Sequence, residues 1–272
     1  MSLLMQVSDP HFGTERPSVV EALLRLVRRQ APELVVASGD ITQRATRRQF
    51  EAARDFFAEM GGVPVLAIPG NHDIPLFNLA ARVFAPYAQY QRVFGHDLEP
   101  VFASARWLVV CVNTTRAYRH KDGEVSAAQV ERVAERLRTA APEQVRVVVV
   151  HQPVAVAQAK DRPNLLHGRA LAVRRWAAAG ADLVMGGHIH APYVLPLHEV
   201  PGGLARRLWA VQAGTAVSAR LRGEADNSVN LVRHMDRGRP RRCVVERWDY
   251  VAPEREFRLF GARVLVCSSG QG

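Results

Sequence analysis

The side chains of this 272-residue sequence best suited to chemistry fall in five short polar clusters: "SDPHFG" (8–13), "GDITQ" (39–43), "PGNHD" (69–73), "HQP" (151–153) and "GGHIH" (186–190). They contribute Asp9, His11, Asp40, Asn71, His72, His151, His188 and His190. Carboxylates, imidazoles and an amide oxygen are hard-to-borderline donors, suited to Mn, Fe, Zn or a similar divalent ion rather than to thiolate chemistry. Eight such groups exceed the needs of one ion. They suffice for two ions that share a carboxylate, the arrangement that clamps the attacking and leaving oxygens of a phosphoryl displacement. Each cluster alone has a plainer explanation, since Asp40 and Asn71 could cap turns and His151 could be a hydrogen-bonded core histidine.

The elements around the clusters decide against five separate coincidences. Each cluster follows a short apolar run: "SLLMQV", "ELVVAS", "VPVLAI", "VRVVVV" and "ADLVMG". These runs, with "WLVVCV", read as strands, and "SVVEALLRLVRRQ", "RRQFEAARDFFAEM", "SAAQVERVAERLRTA" and "ALAVRRWAAAG" read as amphipathic helices between them. Short apolar strands without alternation, set between helices, predict an α/β sheet covered on both faces. Ligands in such sheets lie beyond the carboxyl ends of the strands, so loops far apart in sequence can converge. After residue 190 the pattern changes to strand candidates, "RLWAVQAG", "SVNLVRH", "RCVVERWDY" and "EFRLFG", which could complete a second sheet packed on the first. No linker, low-complexity tract or repeat intervenes. The expectation is one domain over 1–272, with the clusters within 1–190 and a strand-rich part at 191–272.

Composition narrows the class. With 48% hydrophobic residues the chain can bury a substantial core. No uncharged apolar run reaches the roughly 18 residues of a membrane span, and "MSLLMQVSDPHFG" lacks the basic start and cleavage site of a signal peptide. The three cysteines, Cys111, Cys243 and Cys267, form no CxxC, which argues against a disulfide framework or a thiolate zinc site and makes a cytoplasmic location the expectation. The net charge of +10, from 36 Lys and Arg against 26 Asp and Glu, is compatible with an anionic substrate, nucleic acid or an acidic surface. Basic clusters at 25–29, 44–48 and 233–242 carry no recognition motif or interleaved aromatics, so nucleic-acid binding has no support beyond charge. Oligomeric state is not readable.

The ordered blocks "DPH" (9–11), "GD" (39–40), "GNHD" (70–73), His151 and "GHIH" (187–190) resemble those of the calcineurin-like metallophosphoesterases, whose pattern is D-x-H, GD, GNH[DE], H and GHxH. The resemblance implies an α/β four-layer αββα sandwich, two facing mixed sheets flanked by helices, with a two-metal centre. By motif position, Asp9, His11 and His190 would bind one ion, Asn71, His151 and His188 the other, and Asp40 would bridge them. His72 would face the scissile phosphate, and a hydroxide bridging the two ions would be the nucleophile. Within the family the chain is most similar to bacterial class III cyclic-nucleotide phosphodiesterases. It departs from many relatives at Gln43, where an acidic residue would orient the GNH histidine, and at Gln152, where a second histidine is common.

The implied activity is metal-dependent phosphodiester hydrolysis of a small anionic phosphoester, with cyclic nucleotides as one candidate. The alternatives are a phosphomonoesterase or nucleotide pyrophosphatase of the same family, or a metal-bound binding scaffold without catalysis. The loop "NTTRAYRHKDGEVS" (113–126) is basic and follows a strand, making Arg116, Arg119 and His120, with Lys121, candidate substrate contacts. His167 is a further candidate for the rim.

Overall fold

Successive residues of a strand point to opposite faces, so a strand apolar throughout must be covered on both sides. The computed structural model, which describes residues 2–199, 203–204, 206–235 and 240–267, meets that demand with four layers. Strands β1 (Leu3–Val7), β2 (Leu34–Ser38) and β3 (Val65–Ile68) alternate with helices α1 (Pro17–Gln30) and α2 (Arg47–Ala58). Short helices α3 (Leu79–Phe84) and α4 (Ala88–Phe94) and strand β4 (Val101–Ala103) lead into β5 (Trp107–Cys111), α5 (Ala127–Arg138), β6 (Val145–Val149), α6 (Arg169–Ala178) and β7 (Leu183–Gly186). Strands β8 (Tyr193–Pro196), β9 (Trp209–Gln212), β10 (Ser228–Met235), β11 (Arg242–Val251) and β12 (Glu256–Val266) follow.

The strands form two six-stranded mixed sheets, ordered β12-β11-β10-β1-β2-β3 and β4-β5-β6-β7-β9-β8. Leu3, Met5, Val7, Val35 and Ala37 point outward into a core shared with α1 and α2. Leu108, Val110, Val148 and Val150 point outward from the other sheet into a core with α5 and α6. The remaining faces meet each other: Leu4, Leu34, Val36 and Ile68 pack with Trp107, Val109, Val147, Val149, Met185 and Val211. The sequence expectation of two facing sheets flanked by helices is therefore met.

The C-terminal strands complete both sheets rather than the second alone: β8 and β9 finish the second, as expected, while β10, β11 and β12 extend the first. β10 pairs antiparallel with β1, carrying β11 and β12 with it, while β9 pairs parallel with β7 and antiparallel with β8. The physical reason is that β1 and β7 each have an edge of backbone donors and acceptors that needs a partner. Helices α3 and α4 and strands β4 and β8 were not legible in the hydropathy pattern, being too short to display a period. Part of the basic 233–242 segment, residues 236–239, lies outside the described residues. No helix among the described residues is long and apolar enough to cross a membrane.

Between the sheets, directly under the polar loops, the apolar core gives way to a buried polar belt. Gln6 of β1 donates to Ser38 Oγ at the end of β2 and to the carbonyl of Gly186 at the end of β7, both at 3.0 Å. Asn230 of β10 donates to Gln6 Oε1 at 3.0 Å and to Gln212 O at 3.2 Å. Gln212 Nε2 continues the chain to Gly187 O. The belt ties the two sheets at a fixed height, and a fully satisfied buried network specifies one register. Gln6→Leu keeps the volume close and adds apolar surface, yet it leaves Asn230 and the Gly186 carbonyl short of partners. It should destabilise the fold by about 1–3 kcal/mol in urea denaturation; a variant as stable as wild type would show that the belt contributes nothing.

Candidate metal centre

Five loops meet above the belt, at the carboxyl ends of β1, β2, β3, β6 and β7, and the backbone itself is bent to bring them together. Asp9, His11, Asp40, His188 and His190 have φ of 49°, 43°, 48°, 72° and 52°, five of the eight non-glycine residues with left-handed φ among the described residues. That region is disfavoured for L-residues, and such conformations persist where surroundings enforce them, as at functional sites. Main-chain hydrogen bonds supply the enforcement: Asp9 N to Gly39 O at 3.1 Å, His11 N to Asp40 O at 3.1 Å and Gly187 N to His151 O at 2.9 Å.

Two glycines of the motifs are required by close approach. At Gly39, whose φ is +96°, a Cβ would stand 2.3 Å from His151 Nδ1. At Gly187 a Cβ would stand 2.4 Å from Asp9 Oδ2 and 2.1 Å from Ser8 Oγ. The glycine before the two histidines thus lets that loop lie against the Asp9 carboxylate, whose two oxygens each accept from His188 N at 3.0 Å.

Three groups of candidate ligand atoms, each within 4.8 Å of one another, result: Asp9, His11 and His190; Asp40, His151 and His188; and His11, Asp40 and His72. His190 Nε2 lies 3.4 Å from Asp9 Oδ1, and His151 Nε2 lies 3.3 Å from Asp40 Oδ1. His11 Nε2 is 3.7 Å from Asp40 Oδ2, so this one carboxylate reaches toward both trios. The donor set fits cations better than it fits itself. His11 Nε2 and His190 Nε2 stand 3.0 Å apart, although His190 Nδ1 already bonds to the carbonyl of Arg220 at 2.6 Å. Asn71 Oδ1 and both ring nitrogens of His188 are buried without a hydrogen-bond partner. Buried polar atoms are normally satisfied, and aiming so many at one space is what metal coordination requires.

The electrostatics agree. Burial disfavours the charged form of Asp40, but the positive charge and hydrogen bond of His151, with His72 and His11, outweigh it and hold the carboxyl well below its usual range. Burial also opposes charge on His151, yet Asp40 raises it to about 9. Burial pushes His11 and His188 down to about 3 despite the nearby carboxylates. Ionised carboxylates and neutral imidazoles are the forms that bind metal.

Asp73, inside the GNHD block, has a structural part that its motif position did not reveal. Its Oδ1 accepts from Thr42 N at 2.7 Å and Thr42 Oγ1 at 2.8 Å, and its Oδ2 from Ile41 N at 3.0 Å and Gly70 N at 2.9 Å. It clamps the Asp40 loop to the Asn71 loop. Burial, with Asp40 close by, raises it to about 6.

The calcineurin-like phosphoesterase profile matches residues 3–192. The chain belongs to that family. It is 25% identical over 204 residues to a probable cyclic nucleotide phosphodiesterase of Synechococcus sp., covering 70% of this chain and 74% of that one. The purple acid phosphatase of yellow lupin (Lupinus luteus) seeds shares the fold over 98% of this chain with a TM-score of 0.71 at 11% identity; this chain spans 54% of that enzyme's length. A dimetal phosphatase from Danio rerio gives 0.64 at 15% identity, covering 98% of this chain and 99% of its own. Family members of this kind use dinuclear divalent centres, and the eight residues singled out in the sequence are brought to one place.

The candidate substrate contacts fare differently. A cleft of about 480 Å³ opens over the centre, lined by Asp40, Asn71, His72, His188 and His190 and, around them, by Lys121, Lys160, Asn164, Arg220 and Arg222 among others. Arg116, Arg119 and His120 do not line it. Arg116 is spent on Asn113 O, Thr115 O and Gln129 Oε1. Arg119 pairs with Glu124 at 2.8 Å, and His120 is exposed. His167 lies 3.8 Å from Asp122, away from the cleft lining. Of the 113–126 loop only Lys121 lines the cleft, and Gln152 helps to hold it there. Its amide accepts from Thr114 Oγ1 at 2.6 Å and donates to Lys121 O at 3.2 Å. Arg220 and Arg222 were missed because no motif marks them. The available signal was that "RLWAVQAG" is another apolar run followed by a polar loop.

If Asp40 bridges two ions and offsets the repulsion between them, metal analysis of Asp40→Ala should find both depleted; a full pair in that variant would remove Asp40 from the bridge. Metal loading should also release protons. His151, raised to about 9, is protonated at pH 7 before metal binds, and a ligand nitrogen must be free. Affinity therefore rises as pH approaches 9, and saturation at pH 7 should release about one proton or more per chain. Titration against an indicator dye in weak buffer reads this directly, and zero release would exclude His151 as a charged group displaced by metal.

Proposed function

We propose that this phosphoesterase hydrolyses phosphodiesters at a two-metal centre within a single 1–272 domain, with cyclic nucleotides the first class to test. Asp9, His11 and His190 would hold one ion, Asn71, His151 and His188 the other, and Asp40 both. The observation that carries the reading is the Asp40 carboxylate, within reach of His11 on one side and His151 on the other. The bound ions would supply Lewis-acid stabilisation of the phosphate oxygens and lower the pKa of water at the site. Preference for diesters draws its support from the likeness to the probable cyclic nucleotide phosphodiesterase of Synechococcus.

The chain's own residues have separable tasks. The half-buried His72 borders the cleft, with its ring edge-on to His11 at a centroid distance of 4.8 Å. Its Nδ1 lies 3.0 Å from the carbonyl of Gln43. A carbonyl can only accept, so Nδ1 carries the proton and Nε2 is left as the working nitrogen. In the imidazolium Nε2 is also protonated and can donate to a departing oxygen. The main chain of Gln43 thus performs the orienting task for which an acidic side chain stands in many relatives. The backbone N–H of His72 donates to Asp40 Oδ1 at 2.8 Å, tying the acid to the bridging carboxylate. Around them Lys121, Lys160 and Arg220 favour an anionic substrate.

The deciding experiment is metal-reconstituted protein assayed with cyclic nucleotides, aryl diesters, phosphomonoesters and nucleoside diphosphate esters. Diester turnover above monoester turnover is expected, and the reverse ratio would assign a phosphomonoesterase. His72→Ala should keep its metals and lose about 10²- to 10⁴-fold with an alkyl or ribosyl diester. It should lose less with a nitrophenyl diester, whose leaving group needs no proton. Equal losses with both leaving groups would overturn the general-acid role.

A further inference from the structure

Among the cations lining the cleft, Arg220 is set apart by how it is held. Lys121 and Lys160 are exposed chains on flexible stems. Arg222 is already neutralised, its guanidinium bonded to the carboxylate of buried Asp161 and, at 2.8 Å, to Ile189 O. Arg220 is half-buried, and its guanidinium has one hydrogen-bond partner among the described residues, the neutral amide oxygen of Gln43 at 2.8 Å. No carboxylate among the described residues pairs with it.

The backbone on both sides of this contact is tied to the centre. The carbonyl of Arg220 takes His190 Nδ1 at 2.6 Å, and the carbonyl of Gln43 takes His72 Nδ1 at 3.0 Å. Arg220 N donates to Ser218 Oγ at 3.2 Å. Ser218 Oγ meets Thr215 Oγ1 at 2.6 Å, and Thr215 Oγ1 donates to Asp9 O at 2.6 Å. The loop after β9 is thereby fastened to the Asp9, His190 and His72 loops through main chain and small hydroxyls. The side chains of Gln43 and Arg220 carry none of that load.

We infer that Arg220, fixed by Gln43, is a specificity-determining residue that binds a non-esterified oxygen of the substrate phosphate beside His72. This deepens, and rests on, the phosphoesterase reading. A guanidinium presents five N–H donors in a planar fork suited to phosphate oxygens, and only one bond is spent on Gln43. An amide at position 43 positions the fork and leaves its charge for the ligand. A carboxylate there would position it equally well and cancel the charge. The difference between Gln and Glu at 43 therefore separates a cation that reads phosphate from a strut that props a loop.

The test compares wild type with Q43E, R220A and R220K after metal reconstitution. The readouts are metal content, affinity for inorganic phosphate by calorimetry, and KM and kcat with bis(p-nitrophenyl) phosphate. Losing a charge-assisted hydrogen bond should weaken phosphate binding and raise KM roughly 10- to 100-fold in R220A and Q43E with metals retained; kcat should change far less in R220A, whereas Q43E, at the residue whose main chain holds His72, is read by phosphate affinity alone. R220K should recover part of the loss. A strut would behave oppositely, since Q43E strengthens the Gln43–Arg220 contact and would leave affinity unchanged or improved. Unchanged phosphate affinity in Q43E overturns the proposal, as does loss of metal in R220A that accounts for its defect. If R220A does not fold, Q43E alone decides. A wild type that turns over no ester, yet binds phosphate more tightly than R220A and Q43E, would sink the hydrolase reading while leaving the anion site standing.

Discussion

One carboxylate organises this molecule. Asp40 is buried between histidines that belong to opposite sheets, and in that position its charge must be met by opposite charge or by metal. The surrounding structure can be understood as whatever is needed to bring imidazoles, and the cations they could help to hold, to the floor of the cleft where it lies. The left-handed backbone at five candidate ligands, the clamp at Asp73 and the close passage of Gly39 past His151 all serve that single requirement. The raised proton affinity of His151 is its counterpart before metal binds. Proton and metal ion are competing answers to the same buried charge.

Two sheets can deliver ligands to one point only if their relative height is settled. Apolar packing between Leu4, Val36, Val149 and Met185 holds the sheets face to face, but such contacts tolerate sliding. Hydrogen bonds do not. The chain Ser38, Gln6, Gly186, with Asn230 and Gln212 completing it, spans from β2 through β1 and β10 to β7 and β9. It runs beneath the loops that carry Asp9, Asp40 and His188, where a displacement of an ångström would separate the trios.

Much of this arrangement was legible in the sequence because its signals are local. A strand buried on both faces is an unbroken apolar run, and a ligand at its end is the first polar residue after it. The five clusters therefore predicted the convergence of eight residues, and the helices between them were found to within about two residues, the usual uncertainty at helix ends. Residues whose meaning is non-local were not legible. Arg116 and Arg119 looked like substrate contacts because they are basic and follow a strand, and nothing nearby in sequence showed that Gln129 and Glu124 would engage them. Arg220 carried no mark, since its position depends on β9 pairing with β7 and on Gln43, far away in the chain. The C-terminal strands were recognised as strands, but which edges they would join depends on backbone pairing that hydropathy does not encode.

That pairing sets an order of events when the molecule forms. β1 is the first strand of the chain, yet one of its two partners is β10, with Leu3 opposite Arg233 and Gln6 opposite Asn230. β7 likewise waits for β9. During synthesis the segment matched to the family, residues 3–192, is complete while both sheets still have an unpaired edge and Gln6 still lacks Asn230. Contacts this distant in sequence close slowly, because loop entropy must be overcome before they return anything. A nascent chain that already holds all five motif clusters therefore still has β1 and β7 each short of a strand partner.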